Sequence, residues 1–258
     1  AAVIEEAGGE LKIKKDHPVK RPEELAPGEY LVKLECSGSC FPRARRCHSD
    51  LHAALGDWPV PPRLPLIGGH EGVGIVVAIG RNTVDSPVKL GDRVGIKWVA
   101  NSCLNCEQCR KGRKRNCAKA LYSGYAIDGT FQEYVVSYVN YVMPIPKGFP
   151  SDAPASVLCT GVTVYRAIKN SQTNPGDWIV IPGARGGLGH VAVQYARVRG
   201  LCVIAIDTGV EKKNLCLKLG AEKWIDFKES KDSVKQGHRT FAVPYAVTCA
   251  VDLQSHMQ

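Results

Sequence analysis

The chain is predicted to be a two-part fold: a β-rich barrel or sandwich over residues 1–152, then part of a doubly wound α/β domain with a parallel sheet over 153–258. Three features predict it. Up to about residue 100 the text is a series of short, β-branched segments separated by Pro-Gly and Gly-Asp pairs. From Asp177 a strand, a glycine-rich turn, a helix and a second strand ending in an acid follow in order. Between them, residues 101–117 read NSCLNCEQCRKGRKRNC, too dense in thiols and charge to be a core element.

In the first part, 30–34 and 72–79 are the clearest strands. The thiols of 101–117 are Cys103, Cys106, Cys109 and Cys117, spaced C-x2-C-x2-C-x7-C. That spacing lets one loop turn four sulfurs toward a tetrahedral centre, the closed shell of a structural zinc. Free cysteines or disulfides are the plainer alternative, but thiols this dense favour metal, eleven cysteines is an odd number, and the opening AAVIEEAGGE lacks the basic end and apolar stretch of a secretory signal. A cytoplasmic protein with reduced thiols is expected. The first residue is not Met, which fits a processed or cut chain.

Two further segments, 47–52 (CHSDLH) and 68–72 (GGHEG), combine metal-ligating or proton-shuttling residues with turn formers, and both are expected on loops at a barrel rim. A third, VLCTG at 157–161, precedes the helical pattern 162–169. Cys47, His70 and Cys159 together make a two-thiolate, one-imidazole set, of the type that holds a catalytic zinc with its fourth position open. Singly, each has a plainer reading: a buried cysteine is a small hydrophobe, and a lone histidine is a satisfied polar group. Glu71 is either a transient ligand or an electrostatic neighbour.

In the second part, 177–181 reads as a buried strand, and PGARGGLG follows directly. Leu188, Val191, Ala192, Tyr195, Ala196 and Val198 then repeat at helical spacing, and 201–206 is a second strand leading into Asp207. The strict G-x-G-x-x-G string is absent; Gly183, Gly186, Gly187 and Gly189 stand in its place. Glycines there let a pyrophosphate reach backbone N–H groups at a helix N-terminus, and an acid about 20 residues on accepts the ribose hydroxyls. The carboxylate of Asp207 favours NAD over NADP, and Lys212 and Lys213 close by weaken that preference. A helix at 211–219 and strands at 223–227 and 243–251 complete the legible part.

Hydrophobic residues at 44% and charged residues at 23% describe a soluble globular protein. No apolar run approaches the roughly 20 residues that cross a bilayer, so no membrane partner is expected. The net charge of +9 is partly local, in Arg43, Arg45 and Arg46 and in Lys111, Arg113, Lys114 and Arg115. Such runs are more often solvated faces than binding sites, so nucleic acid is not expected as the partner.

GDWP, GGHEG, GIKW, the four-cysteine lobe, SVLCTGVTVY and the GGLG loop before AVQYA together resemble the zinc-dependent medium-chain alcohol dehydrogenases of the yeast and fungal type, over nearly everything up to about residue 231. The resemblance implies a GroES-like barrel carrying two zincs, followed by a partial Rossmann domain for NAD. It makes Cys47, His70 and Cys159 the catalytic zinc ligands with Glu71 beside them, and the other four cysteines the structural site. It puts Asp50 behind the zinc-bound histidine, Ser49 on the substrate oxygen, His52 at the exit of the proton to solvent and His48 by the pyrophosphate. Trp58 and Trp98 then narrow the pocket to small primary alcohols, which pass a hydride to NAD or, in reverse, arise from aldehydes. Relatives are homo-oligomers, an assembly not expected here because the strands that build it are missing.

The chain departs from that pattern in three places. An insert, 41–46, separates Cys40 from Cys47, so either is a candidate ligand; its arginines resist burial and are expected to hold it in solvent, leaving Cys47 on the metal side. The text beyond about 231, including Gly237-His238-Arg239, fits poorly. The resemblance also implies roughly another third of chain beyond Gln258, for the rest of the sheet. The competing expectation is therefore a truncated, inactive zinc-binding relative, or a basic zinc module that uses 111–115 on nucleic acid.

Overall fold

The computed structural model describes residues 1–38 and 47–229, together with the backbone of 245–246. Cys40, the insert 41–46, residues 237–239 and most of the expected strand 243–251 lie outside the described residues. Two units are present, Ala1–Cys159 and Thr160–Gln258. The division falls after Cys159 rather than at 152/153, because Ala155 and Leu158 pack with Val73, Cys36 and Ile145 of the first unit.

The first unit contains β1 (Ala2–Ile4), β2 (Leu11–Ile13), β3 (Glu29–Ser37), α1 (His48–Leu55), β4 (Leu66–Ile67), β5 (Gly72–Ile79) and β6 (Arg93–Ile96). It continues with β7 (Val99–Asn101), α2 (Glu107–Arg110), β8 (Leu121–Tyr122), β9 (Tyr134–Tyr138), β10 (Met143–Pro144) and α3 (Asp152–Val157). Its main sheet runs β10-β6-β5-β3-β9 and is antiparallel throughout. β3 and β5 form its spine, and the register shifts at Leu31/Val32 and Leu34/Cys36 bend the pair as bulges do. Alternation turns Tyr30, Val32, Val76, Val94, Ile96 and Val135 into one core. The β3–β5 pair also sets the site: at the end where Ser37 pairs with Gly72, the GGHEG loop leads into β5.

That loop is pinned by Thr130 and Phe131. Gly69 has φ +94°, and a Cβ there would lie 2.5 Å from Thr130 Oγ1 and 2.8 Å from the Phe131 ring, so only glycine fits. The N–H groups of Thr130 and Phe131 donate to the carbonyls of Gly69 and Gly68, at 3.0 Å each. His70 therefore leaves a backbone with little freedom to move.

The segment 47–52 is not a loop. Cys47 is the N-cap of α1, its carbonyl accepts from Asp50 and Leu51 N–H at 3.0 and 3.2 Å, and Gly56 closes the helix at φ +67° with its N–H on His52 O. An acid in the first turn, Leu and Ala behind it and a glycine just past the end are helix signals that outweigh the local turn formers. Helical spacing puts Asp50 and Ala53 on the buried face and brings His48 and His52 to ring centroids 6.3 Å apart on another.

The second unit contains α4 (Thr160–Asn170), β11 (Trp178–Pro182), α5 (Gly189–Val198), β12 (Cys202–Asp207), α6 (Val210–Lys218), β13 (Lys223–Asp226) and β14 (Tyr245–Ala246). Its sheet is parallel in the order β13-β12-β11-β14, the 3-2-1-4 arrangement of a doubly wound fold. Ile179, Ile181, Val203 and Ala205 meet Ala192, Val193 and Ala196 of α5 and Val164 and Ile168 of α4 in its core. Val198, expected on the apolar face of α5, is 88% exposed, and Val193 is buried instead. The buried positions 189, 192, 193 and 196 follow the i, i+3, i+4, i+7 stripe, and 198 falls off it.

Candidate metal centres and nucleotide loop

Ligand atoms of Cys47, His70 and Cys159 lie within 4.8 Å of one another, all in the first unit. The N-cap of α1, the pinned loop before β5 and the short link between α3 and the next helix supply one each. His70 is 1% exposed, and its Nδ1 is 2.8 Å from Oδ1 of Asp50, which also accepts the Gly69 N–H at 3.2 Å. With Nδ1 held there, Nε2 is the nitrogen left to ligate; it is buried and has no hydrogen-bond partner among the described residues. Burial alone would lower the basicity of this ring, but the Asp50 carboxylate and the Cys47 sulfur outweigh it and push it up to about 10. The pocket thus stabilises positive charge at Nε2, where a divalent cation fits the donor set. Glu71, 2% exposed, sits next in the chain, and its carbonyl accepts the Gly38 N–H at 2.5 Å.

The second set, Cys103, Cys106, Cys109 and Cys117, also has its sulfurs within 4.8 Å. Sγ of Cys103 is 4.0 Å from that of Cys109 and 3.5 Å from that of Cys117. These are far from disulfide lengths, and they bracket the edge of about 3.8 Å that zinc–sulfur bonds of roughly 2.3 Å give a tetrahedron. Backbone N–H groups of Asn105 and Cys106 hold the Cys103 thiol down at about 6. Cys106, although the Cys109 N–H favours its thiolate, is pushed up to about 11 by desolvation and the neighbouring sulfurs. Four thiolates this close need a cation to share their charge. The Lys119 N–H donates to Cys117 Sγ at 3.3 Å, and Ser102, bonded to Tyr141, has its hydroxyl 3.3 Å from Cys109 Sγ. Ser102 and Tyr141 carry no ligand signature in sequence, and only the fold brings them to the sulfurs.

Beside His70 stands an aromatic wall. Trp98 meets the His70 ring edge-on at 5.3 Å and Trp58 at 5.8 Å, and Tyr122 and Tyr125 extend the cluster at 5.1 Å from Trp98 and Trp58 respectively. The two tyrosines are absent from the sequence reading; YSGY at 122–125 is the text that could have pointed to them. His52 stacks on Trp58 at 5.9 Å, and its Nδ1 is 2.7 Å from Oδ2 of Asp57. Ser49 and His48 lie on the first turn of α1, with Ser49 one residue before Asp50.

In the second unit, the turn between β11 and α5 brings the backbone very close to itself. A Cβ on Gly189 would lie 2.0 Å from Gly183 O and 2.7 Å from Ala184 Cα, so a side chain there would drive the helix off the strand. Gly186 N–H donates to Gly183 O at 2.8 Å, and His190 Nδ1–H to Gly186 O at 2.8 Å, which ties the turn to the helix it opens. Asp207 ends β12 with 5% exposure. Its Oδ2 accepts Arg185 N–H at 3.1 Å, and its Oδ1 accepts Thr208 N–H at 2.8 Å and Lys212 Nζ at 2.7 Å. Gly187 lies in the same turn.

Comparison with known proteins bears on the family and the fold of each unit. Residues 26–147 match the family described as "Alcohol dehydrogenase GroES-like domain", and 187–255 the one described as "Zinc-binding dehydrogenase". The chain is 45% identical over 236 residues to an alcohol dehydrogenase of Schizosaccharomyces pombe, covering 91% of this chain and 64% of that one. It is 46% identical over 234 residues to alcohol dehydrogenase 1 of Emericella nidulans, covering 91% and 63%. The chain belongs to the zinc-dependent medium-chain alcohol dehydrogenases, fungal type. Among solved structures, an NAD-dependent alcohol dehydrogenase superposes with TM-score 0.79 at 27% identity, covering 94% of this chain and 67% of that one. The alcohol dehydrogenase of the archaeon Aeropyrum pernix superposes with TM-score 0.75 at 32% identity, covering 92% and 66%. This member of the dehydrogenase family therefore has a GroES-like unit with both cysteine sets and a Rossmann-like unit with the glycine turn. It spans less than two thirds of the length of those curated fungal relatives, 64% and 63%. No helix among the described residues is long and apolar enough to cross a membrane.

Proposed function

We propose that this chain carries the zinc- and NAD-dependent interconversion of small primary alcohols and aldehydes. The observation that carries the reading is the convergence of Cys47, His70 and Cys159 within 4.8 Å, with the histidine held by a buried carboxylate. Bound there, zinc supplies a Lewis acid for the substrate oxygen, and NAD supplies the hydride acceptor. The chain's own residues do the rest. Asp50 fixes the tautomer and orientation of His70. Ser49, on the first turn of α1, accepts the proton of the alcohol, and His52, 30% exposed and held by Asp57, releases it to solvent. Trp58 and Trp98 admit a short chain and exclude a branched one. On the cofactor side Gly183, Gly186, Gly187 and Gly189 admit the pyrophosphate to the backbone of the turn, and Asp207 with Lys212 holds the adenosine ribose. Cys103, Cys106, Cys109 and Cys117 hold a second, structural zinc. A cytoplasmic location follows from the reduced thiols that both sites require.

The test is NADH formation by zinc-replete protein with a series of alcohols. Ethanol and propanol are expected to react and branched secondary alcohols to react at least about tenfold more slowly; a preference for the branched alcohols, or no alcohol-dependent NADH with any of them, contradicts the proposal.

Two substitutions probe its parts. Asp50→Asn removes the charge behind His70, and zinc affinity at this site is expected to fall about 10- to 100-fold, read by competition with a chromophoric chelator. Unchanged affinity would show that the carboxylate serves only the fold. Asp207→Ala is expected to weaken NAD binding about tenfold or more, followed by quenching of protein fluorescence. Equal NAD affinity in the two proteins would take Asp207 out of the site.

A further inference from the structure

Arg185 is the one cation inside the glycine-rich turn, and its placement is unlike that of an ordinary surface arginine. Its backbone N–H is bonded to Asp207 at 3.1 Å, so its Cα is fixed beside the carboxylate that ends β12. The residue is half-buried, and no hydrogen bond or ion pair of its guanidinium is found among the described residues. Lys212, in the first turn of α6, takes Oδ1 of the same carboxylate at 2.7 Å. Arg185 and Lys212 both act electrostatically on the thiol of Cys216, on the buried face of α6, as Asp207 does with opposite sign. Lys212 thus pairs with a carboxylate that also accepts two backbone N–H donors, one of them that of Arg185.

This bears on the choice of dinucleotide. An acid at this position excludes a ribose 2′-phosphate by charge, whereas an arginine nearby accommodates one bidentately. With Lys212 paired to Asp207, and Arg185 carrying a guanidinium without a partner among the described residues, the excluding charge is offset.

We propose that Arg185 is a specificity-determining residue that receives an adenosine 2′-phosphate, so that the turn binds NADP(H) as well as NAD(H). The inference rests on the reading of the turn as a dinucleotide site. A phosphate on the ribose 2′-oxygen engages the guanidinium, and an unmodified ribose engages Asp207 and Lys212 without it.

Calorimetry on the zinc-replete chain tests this with four probes: NAD, NADP, 5′-AMP and 2′,5′-ADP. NADP is expected to bind within about tenfold of NAD, and 2′,5′-ADP at least as tightly as 5′-AMP. Arg185→Ala is expected to weaken NADP and 2′,5′-ADP about tenfold or more while leaving NAD and 5′-AMP within about twofold; Arg185→Lys, which keeps the charge, is expected to restore part of the loss. Equal weakening of NAD and NADP would put Arg185 on the pyrophosphate and overturn the proposal. So would unchanged NADP binding in the alanine variant, or wild-type protein that binds NAD and rejects NADP. Failure of all four probes would instead overturn the dinucleotide reading itself.

Discussion

Cys103→Ser is expected to lower the zinc content from two ions per chain to one and to unfold the lobe at 101–117. The lobe has little else to hold it. Of its side chains Ser102, Cys109 and Cys117 are buried, its one large aliphatic residue, Leu104, is 39% exposed, and α2 is a single turn. Leu104 also sits at φ +59°, a left-handed conformation that costs roughly 1–2 kcal/mol outside glycine and persists only where other forces impose it. Structural zinc supplies such a force, with apparent binding energies of about 10–16 kcal/mol in small zinc modules, and there the binding energy is folding energy. Serine removes the thiol that the backbone holds most readily as thiolate. Elemental analysis and limited proteolysis within 101–117 are the checks. A variant that keeps both zincs and stays resistant to protease would show that this lobe folds without its metal.

Cys159→Ser is expected to do the opposite: it loses the other zinc and keeps the fold. Cys159 is only half-buried, and α3 before it is anchored by Ala155 and Leu158 rather than by the thiol. Swapping sulfur for oxygen there therefore changes stability little, within about 0.5 kcal/mol if the site behaves as other partly exposed positions do. For the proposed reaction the effect is large. Loss of the polarising ion removes several kcal/mol of transition-state stabilisation, which corresponds to about three powers of ten in rate or more. The circular dichroism spectrum and melting temperature should match those of the unaltered protein at one zinc per chain, with alcohol-dependent NADH formation near background. Retention of both zincs with full turnover would remove Cys159 from the ligand set.

The parts legible in the sequence are those in which local text and long-range packing ask for the same thing. β5 runs over 72–79 as its β-branched residues predict, and the parallel β11–β12 pair follows from two apolar runs flanking a glycine turn. The four-cysteine lobe is local, so its spacing alone carries the geometry. The α1 segment misled because metal-type residues drew attention to a loop, while the helix signals lay just beyond, in Ala53, Ala54 and Gly56. The aromatic wall was half visible. Trp58 and Trp98 stand out by rarity, whereas Tyr122 and Tyr125 join them only because β7 pairs with β8 and brings 121–125 back against Trp98. The bond of Asp50 to His70 Nδ1 is the one the resemblance implies, whereas its second bond, from the Gly69 N–H 19 positions away, has no sequence signature. The same holds for Arg185: text places it in a turn, and only the folded carboxylate of Asp207 gives it a role.

The central claim is that one chain holds two zincs in unlike shells, one of four sulfurs and one of two sulfurs and an imidazole. Zinc K-edge absorption on the purified protein, loaded to two ions per chain, measures this directly. The claim predicts an average first shell of about three sulfurs near 2.3 Å and one nitrogen or oxygen near 2.0 Å per zinc, with outer-shell scattering from a histidine ring. A single zinc per chain, or a shell of four sulfurs with no imidazole scattering, would contradict it.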